Sequence, residues 1–89
     1  MKDSVLAIRV HPRDNVAVVA ADVQAGNAVC LDDGIELRTV EIITRGSKVA
    51  LVPIPCGEAV IRYGEEIGRA TADIAAGQHV HTHNLRRGE

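Results

Sequence analysis

Large aromatic rings are almost missing from this sequence: it has no phenylalanine and no tryptophan, and Tyr63 is the one tyrosine. A core without rings has to be filled by small aliphatic side chains, and the apolar 46% of the chain is mostly Val, Ile, Ala and Leu. β-Branched residues favour strands, which points to a mostly β domain. A single ring also excludes a stacking platform for single-stranded nucleic acid. Cysteine is scarce as well. Cys30 and Cys56 stand far apart with no C-x-x-C spacing, which excludes a disulfide framework and implies reduced thiols. Charge of one sign is not concentrated anywhere. The formal net charge is -2 with acids and bases interspersed, so there is neither a basic stripe for nucleic acid nor a polybasic patch for a membrane. No apolar run approaches the roughly 20 residues of a membrane span, and Met1-Lys2-Asp3-Ser4 does not open a signal peptide. The expected location is the cytoplasm.

What is present fits one small domain covering residues 1–89, with no length for a second core. A domain of this size buries only about 60% of the surface its unfolded chain exposes. Contact with a second copy or with another chain would therefore be stabilising.

Apolar residues come in short blocks closed by turn residues, and helical periodicity is not sustained. Ser4 to Val10 reads as a first strand, stopped by His11-Pro12-Arg13-Asp14-Asn15, where proline fixes φ and Asp and Asn favour turns. Further strands are expected at Asn15 to Ala21, Ala28 to Leu31, Ile35 to Ile43 and Lys48 to Ile54. Glu58 to Tyr63 reads as extended or a short helical turn, Gly64 to Gly68 as a tight connection, and Gln78 to Leu85 as a last strand.

One repeat stands out. Ala21-Asp22-Val23-Gln24-Ala25-Gly26 through Cys30 matches Ala72-Asp73-Ile74-Ala75-Ala76-Gly77 through His81. Each copy has an aspartate able to accept turn N–H bonds, an apolar plug, a glycine suited to positive φ, and a new strand. Asp22 and Asp73 are accordingly expected to shape turns, not to act as catalytic acids. The repeat sets His79 on Ala28 and His81 on Cys30, so the second use of the scaffold carries imidazoles where the first carries ordinary residues.

Three of the four histidines lie in Gln78-His79-Val80-His81-Thr82-His83-Asn84. On an extended strand successive side chains alternate between faces, so His79, His81 and His83 would share one. Such a row suits metal binding or proton transfer, because imidazole is a common neutral ligand that titrates near neutrality. The plainer reading is a solvated strand that happens to carry histidines. His11 lies in a loop before Pro12, where functional groups are often displayed, although a surface histidine is an equally good account. Lys48 would suit a carboxylate, or simply discourage strand pairing at a sheet edge. Glu65 and Glu66 read as a solvated turn, and Cys30 and Cys56 as small apolar fillers.

The twice-used D-(V/I)-x-x-G turn, Gly64-Glu65-Glu66-Ile67-Gly68-Arg69-Ala70-Thr71 and the ending His79 to Asn84 together resemble the SAF domain, a β-clip module. More narrowly, the chain is similar to the SAF domain at the N-terminus of altronate and galactarate dehydratases. That resemblance runs from His11-Pro12-Arg13-Asp14-Asn15-Val16-Ala17-Val18, through Lys48-Val49-Ala50-Leu51, to the end. Where the family often has Gly-His-Lys, this chain has Gly46-Ser47-Lys48, one imidazole fewer.

The resemblance implies a role as a small subunit or N-terminal domain of a sugar-acid hydro-lyase, inactive alone and completed by a larger catalytic chain. The small subunit of a sulfolactate sulfo-lyase and a non-catalytic SAF binding module are the alternatives. Dehydration of a sugar acid needs a base for the proton α to the carboxylate, stabilisation of the enediolate, and an acid for the departing hydroxyl. The family suggests iron(II) or another divalent metal, shared with the partner chain. His81 and His83 are the expected ligands, since alternate residues on one strand lie roughly 7 Å apart. His11, Lys48 and His83 are the expected catalytic groups, and Asp14, Asn15 and Asn84 the expected contacts to the polyol acid.

Overall fold

A computed structural model describes residues 4–87. The first three residues and the last two lie outside the described residues, and with them the reading of the chain's opening. Among the described residues every regular element is a strand, as a ring-free, β-branched composition requires. The strands are β1 (Val5–Ile8), β2 (Val16–Val19), β3 (Ala28–Leu31), β4 (Glu36–Arg38), β5 (Lys48–Ala50), β6 (Ala59–Arg62), β7 (Glu65–Ala70), β8 (His79–Val80) and β9 (Leu85–Arg86). They form a six-stranded sheet in the order β4-β3-β1-β2-β5-β8 and a three-stranded sheet in the order β6-β7-β9.

The strands are shorter than the apolar blocks suggested because a turn motif interrupts them. It occurs four times, not twice. Val23, Ile43, Ile54 and Ile74 each stand three residues before a glycine, and Gly26, Gly46, Gly57 and Gly77 have φ between +83° and +89°. The turns close by hydrogen bonds from Asn27 N to Gln24 O, Ser47 N to Thr44 O, Glu58 N to Pro55 O and Gln78 N to Ala75 O. Glycine with φ near +80° at the third position is what a type II turn requires.

The turns work in pairs. Val23 bridges Ile43 and Ile54 bridges Ile74, each through two backbone hydrogen bonds of 2.8 and 2.9 Å. Within each pair only one turn carries the aspartate, and that aspartate reaches across: Asp22 Oδ1 accepts from Arg45 N at 2.8 Å and Asp73 Oδ1 from Cys56 N at 2.9 Å. Both aspartates are turn formers, as their spacing implied. The strand expected over Ile35 to Ile43 thus ends at Arg38, and that over Lys48 to Ile54 ends at Ala50.

Two apolar cores result. One contains Ala7, Ala17, Val19, Val23, Val29, Leu31, Ile43 and Val49; the other contains Val16, Ala50, Ile54, Val60, Ala70, Ile74, Val80 and Leu85. Strands β2 and β5 belong to both. Ala17 pairs with Val49 on one face and Val16 with Ala50 on the other, so the two-residue alternation of a strand divides their side chains between the cores.

The segment read as a tight connection, Gly64 to Gly68, is mostly strand β7. The connection itself is the two-residue turn Tyr63-Gly64, closed by pairing of Arg62 with Glu65. The last apolar run also differs from expectation. Strand β8 stops at Val80, and residues 81–84 form a turn in which Asn84 N donates to His81 O at 3.0 Å.

Candidate functional site

The histidine row is therefore not one extended strand. Val80 is buried and pairs with Lys48 of β5, but the chain bends immediately afterwards. Asn84 makes the bend: its Oδ1 accepts from His81 N at 2.9 Å and its Nδ2 donates to His79 O at 2.8 Å. The imidazoles nonetheless gather, because the turn folds His81 and His83 back over His79. Ring centroids of His79 and His81 are 5.5 Å apart and nearly parallel at 7°, and those of His79 and His83 are also 5.5 Å apart, tilted by 47°. His79, set below the other two at the sequence level, is the hub.

His79 is half-buried, and its Nε2 is fully buried without a hydrogen-bond partner. Its backbone N donates to Glu41 Oε2 at 2.9 Å. Burial holds its pKa below the ordinary 6.5, reinforced by His83, His81 and Lys48 and opposed by Glu41. A buried imidazole with an unused nitrogen is a competent proton acceptor or metal ligand. Glu41 was missed in the sequence; the Ile43-x-x-Gly46 spacing, which marks the turn that follows it, was the available signal.

Lys48 stands next to this group on β5, also half-buried. Burial lowers its pKa, and the like charges of Arg62 and Arg87 lower it further. No ion pair offsets Lys48, Arg62 or Arg87 among the described residues. Lys48, unpaired among the described residues and beside the imidazole cluster, makes this edge attractive to a carboxylate.

The remaining expected residues form a second group at the Tyr63-Gly64 turn. His11 is exposed; its Nδ1 accepts from Arg13 N at 3.1 Å, and its ring lies against Gly64. Asp14 is buried, its Oδ2 accepting from His11 N at 3.1 Å and its Oδ1 from Gly64 N at 2.7 Å. Burial pushes the Asp14 pKa up, but backbone N–H groups of Gly64, His11, Tyr63 and Val10 outweigh it and hold it below the ordinary 3.8. Asn15 donates to Ala59 O at 2.9 Å and accepts from Ile61 N at 2.8 Å, tying β2 to β6. Asp14, Asn15 and Asn84 thus have their polar atoms committed to backbone. Lys48 and the three clustered histidines come together; His11 joins the other group.

A divalent ion would find an incomplete set of donors here. His79 and His81 stack face to face, which sets their in-plane lone pairs side by side instead of converging. No three His, Cys, Asp or Glu side chains among the described residues are grouped to hold a metal. An ion at this edge would need further donors from substrate or from another chain.

The described residues thus make an all-β domain built on paired glycine turns, with an imidazole cluster where β8 ends. Residues 5–88 match the model of the altronate/galactarate dehydratase SAF domain, and the chain belongs to that family. It is 50% identical over 82 residues to altronate dehydratase of Escherichia coli, an alignment covering 89% of this chain and 16% of the relative. It is 44% identical over 70 residues to galactarate dehydratase (L-threo-forming) of the same organism, covering 79% of this chain and 13% of the relative. Similarity extends to the (2R)-sulfolactate sulfo-lyase subunit alpha of Chromohalobacter salexigens, at 32% over 84 residues, covering 86% of this chain and 89% of that subunit. The chain thus spans 13–16% of the length of the dehydratases it matches.

Proposed function

We propose that this chain is the SAF part of a sugar-acid dehydratase of the altronate or galactarate type, forming one wall of an active site whose remainder belongs to a larger catalytic chain or domain. The carrying observation is the gathering of His81 and His83 about His79, beside Lys48. Lys48, with no counter-charge of its own, orients the substrate carboxylate. His83, exposed on the turn, moves a proton at the reacting carbons, and His11 is a second proton carrier from the Tyr63-Gly64 side. His81 and His83 offer two imidazoles to a divalent metal, iron(II) by family likeness, completed by the partner and substrate; such an ion would stabilise an enediolate. Asp14, Asn15 and Asn84 enter as braces of this wall, since their polar atoms are already bonded. The free thiols Cys30 and Cys56 agree with a cytoplasmic setting.

The test fuses this chain in place of the matching region of the E. coli altronate dehydratase. Changing His81 and His83 together to alanine is expected to lower altronate turnover at least about a hundredfold, as loss of a positioned proton carrier does, with the thermal midpoint kept. Unaltered turnover would reduce the histidines to decoration of a turn.

A further inference from the structure

Over β1 and β3 the face of the six-stranded sheet opposite the first core is apolar and, among the described residues, uncovered. Alternation along β1 sends Ala7 into the core and leaves Leu6 and Ile8 outside, each 46% exposed, with Val10 beyond them at 60%. Pairing sets Leu6 beside Cys30 and Ile8 beside Val18, both half-buried, so the apolar strip crosses three strands. At one end it opens into a cavity of about 170 Å³ whose lining includes Ile8, Val10, Val18, Arg62 and Tyr63, with Asp14 at its wall already bonded to backbone N–H groups. Monomeric domains rarely leave such a continuous surface bare.

The rim of that cavity is held rigid. Tyr63 has φ of 57° and Gly64 of 77°, the positive pair of a type I′ turn, where Asn, Asp or Gly is the usual first residue. A tyrosine there strains the backbone, and strain of this kind collects at functional positions. It fixes a guanidinium: the Arg62 Cζ lies 4.5 Å from the Tyr63 ring centroid, and Arg62 Nη2 donates to Tyr63 Oη at 2.8 Å. Arg62 Nε is buried with no partner. A rigid arginine and a tyrosine beside an aliphatic pocket are the usual makings of an interface anchor.

We propose that this face docks the catalytic remainder of the dehydratase, which sets an apolar side chain into the cavity and a carboxylate on Arg62. The inference rests on the function proposed above. Two observations select this occupant. The matching region is 16% of the relatives' own length, so a large body is tethered beside it at high effective concentration. Arg62, on the rim of the cavity, makes no ion pair among the described residues, which leaves its guanidinium open to a carboxylate brought by that body. The mostly aliphatic lining argues against a polyhydroxy acid as occupant.

Hydroxyl-radical footprinting of the fusion and of the 89-residue chain tests this. Leu6, Ile8, Val10 and Tyr63 are expected to be modified several-fold less in the fusion, whereas Ile35, exposed elsewhere, keeps its reactivity. Arg62→Glu in the fusion should restore labelling of Leu6 and Val10. Equal labelling of the two proteins overturns the proposal. So does protection in the 89-residue chain that grows with its concentration, which would mean a second copy, or protection by altronate alone, which would mean a small-molecule pocket. The footprint needs no turnover: an inactive fusion with this face protected would count against the proposed chemistry and not the docking, and an active fusion with the face labelled the reverse.

Discussion

Asn84 is the residue whose replacement separates a structural from a substrate-binding role most sharply. It is 3% exposed and makes two side-chain bonds, from His81 N and to His79 O. Asn84→Ala strands two backbone groups, each worth about 1–3 kcal/mol when left unpaired in a buried setting. Because His81 and His83 are exposed and water can reach part of the turn, the lower half of that range applies, giving about 2–4 kcal/mol in total. A domain of 89 residues holds only about 4–13 kcal/mol of stability, so the loss should lower the thermal midpoint by about 10–30 °C. Urea unfolding followed by circular dichroism measures the free energy directly. Asn84→Asp provides the control of sign. At neutral pH its carboxylate can still accept from His81 N but repels the His79 carbonyl oxygen, and only the protonated form restores the donor. The folded state therefore favours the proton, the folded pKa lies above the unfolded one, and the deficit relative to wild type should shrink as pH is lowered. Asn84→Ala within about 0.5 kcal/mol of wild type would refute the account of the turn. Unchanged stability with lost turnover in the fusion would make Asn84 a substrate contact instead.

Two further outcomes follow from the geometry. Gly77→Ala should destabilise far more than Gly46→Ala, although both glycines have φ near +85°, because a Cβ at Gly77 would lie 2.2 Å from Arg38 O while Gly46 faces open space; equal losses in urea melts would mean that φ alone sets the cost. Asp14 has a folded pKa below its ordinary 3.8, so the unfolded state binds the proton more readily and stability rises with pH through that range. Its contribution is complete above about pH 5 and is lost as the solution is acidified through the folded pKa, and Asp14→Asn should flatten this acid limb of the pH–stability profile, with an unchanged limb counting against it.

Composition and local chemistry made much of the fold legible. The β-branched, ring-free core implied strands, and Asp22 and Asp73 were identifiable as turn formers from spacing. Two of the four turns escaped notice because Ile42 and Pro53 stand where the recognised copies have aspartate. The invariant of the motif is the buried plug three residues before a positive-φ glycine, and the aspartate is present in only one turn of each pair. The histidine row illustrates another limit. Alternation correctly implied that the imidazoles share a neighbourhood, but for the wrong reason, since a bend made by Asn84 and not an extended strand brings them together. His79 as the hub, Glu41 beneath it and Arg62 near Lys48 depend on pairings between residues up to 38 positions apart, which no local pattern encodes.

The shared strands β2 and β5 have a consequence for how the domain comes apart. Val16 and Ala50 face one apolar cluster while Ala17 and Val49 face the other, so neither half retains a complete wall if the other dissolves. The two halves are bound to melt together. A small domain whose apolar cores hold no aromatic ring thereby obtains a single cooperative transition, and damage near the histidines is felt as far away as β3 and β4.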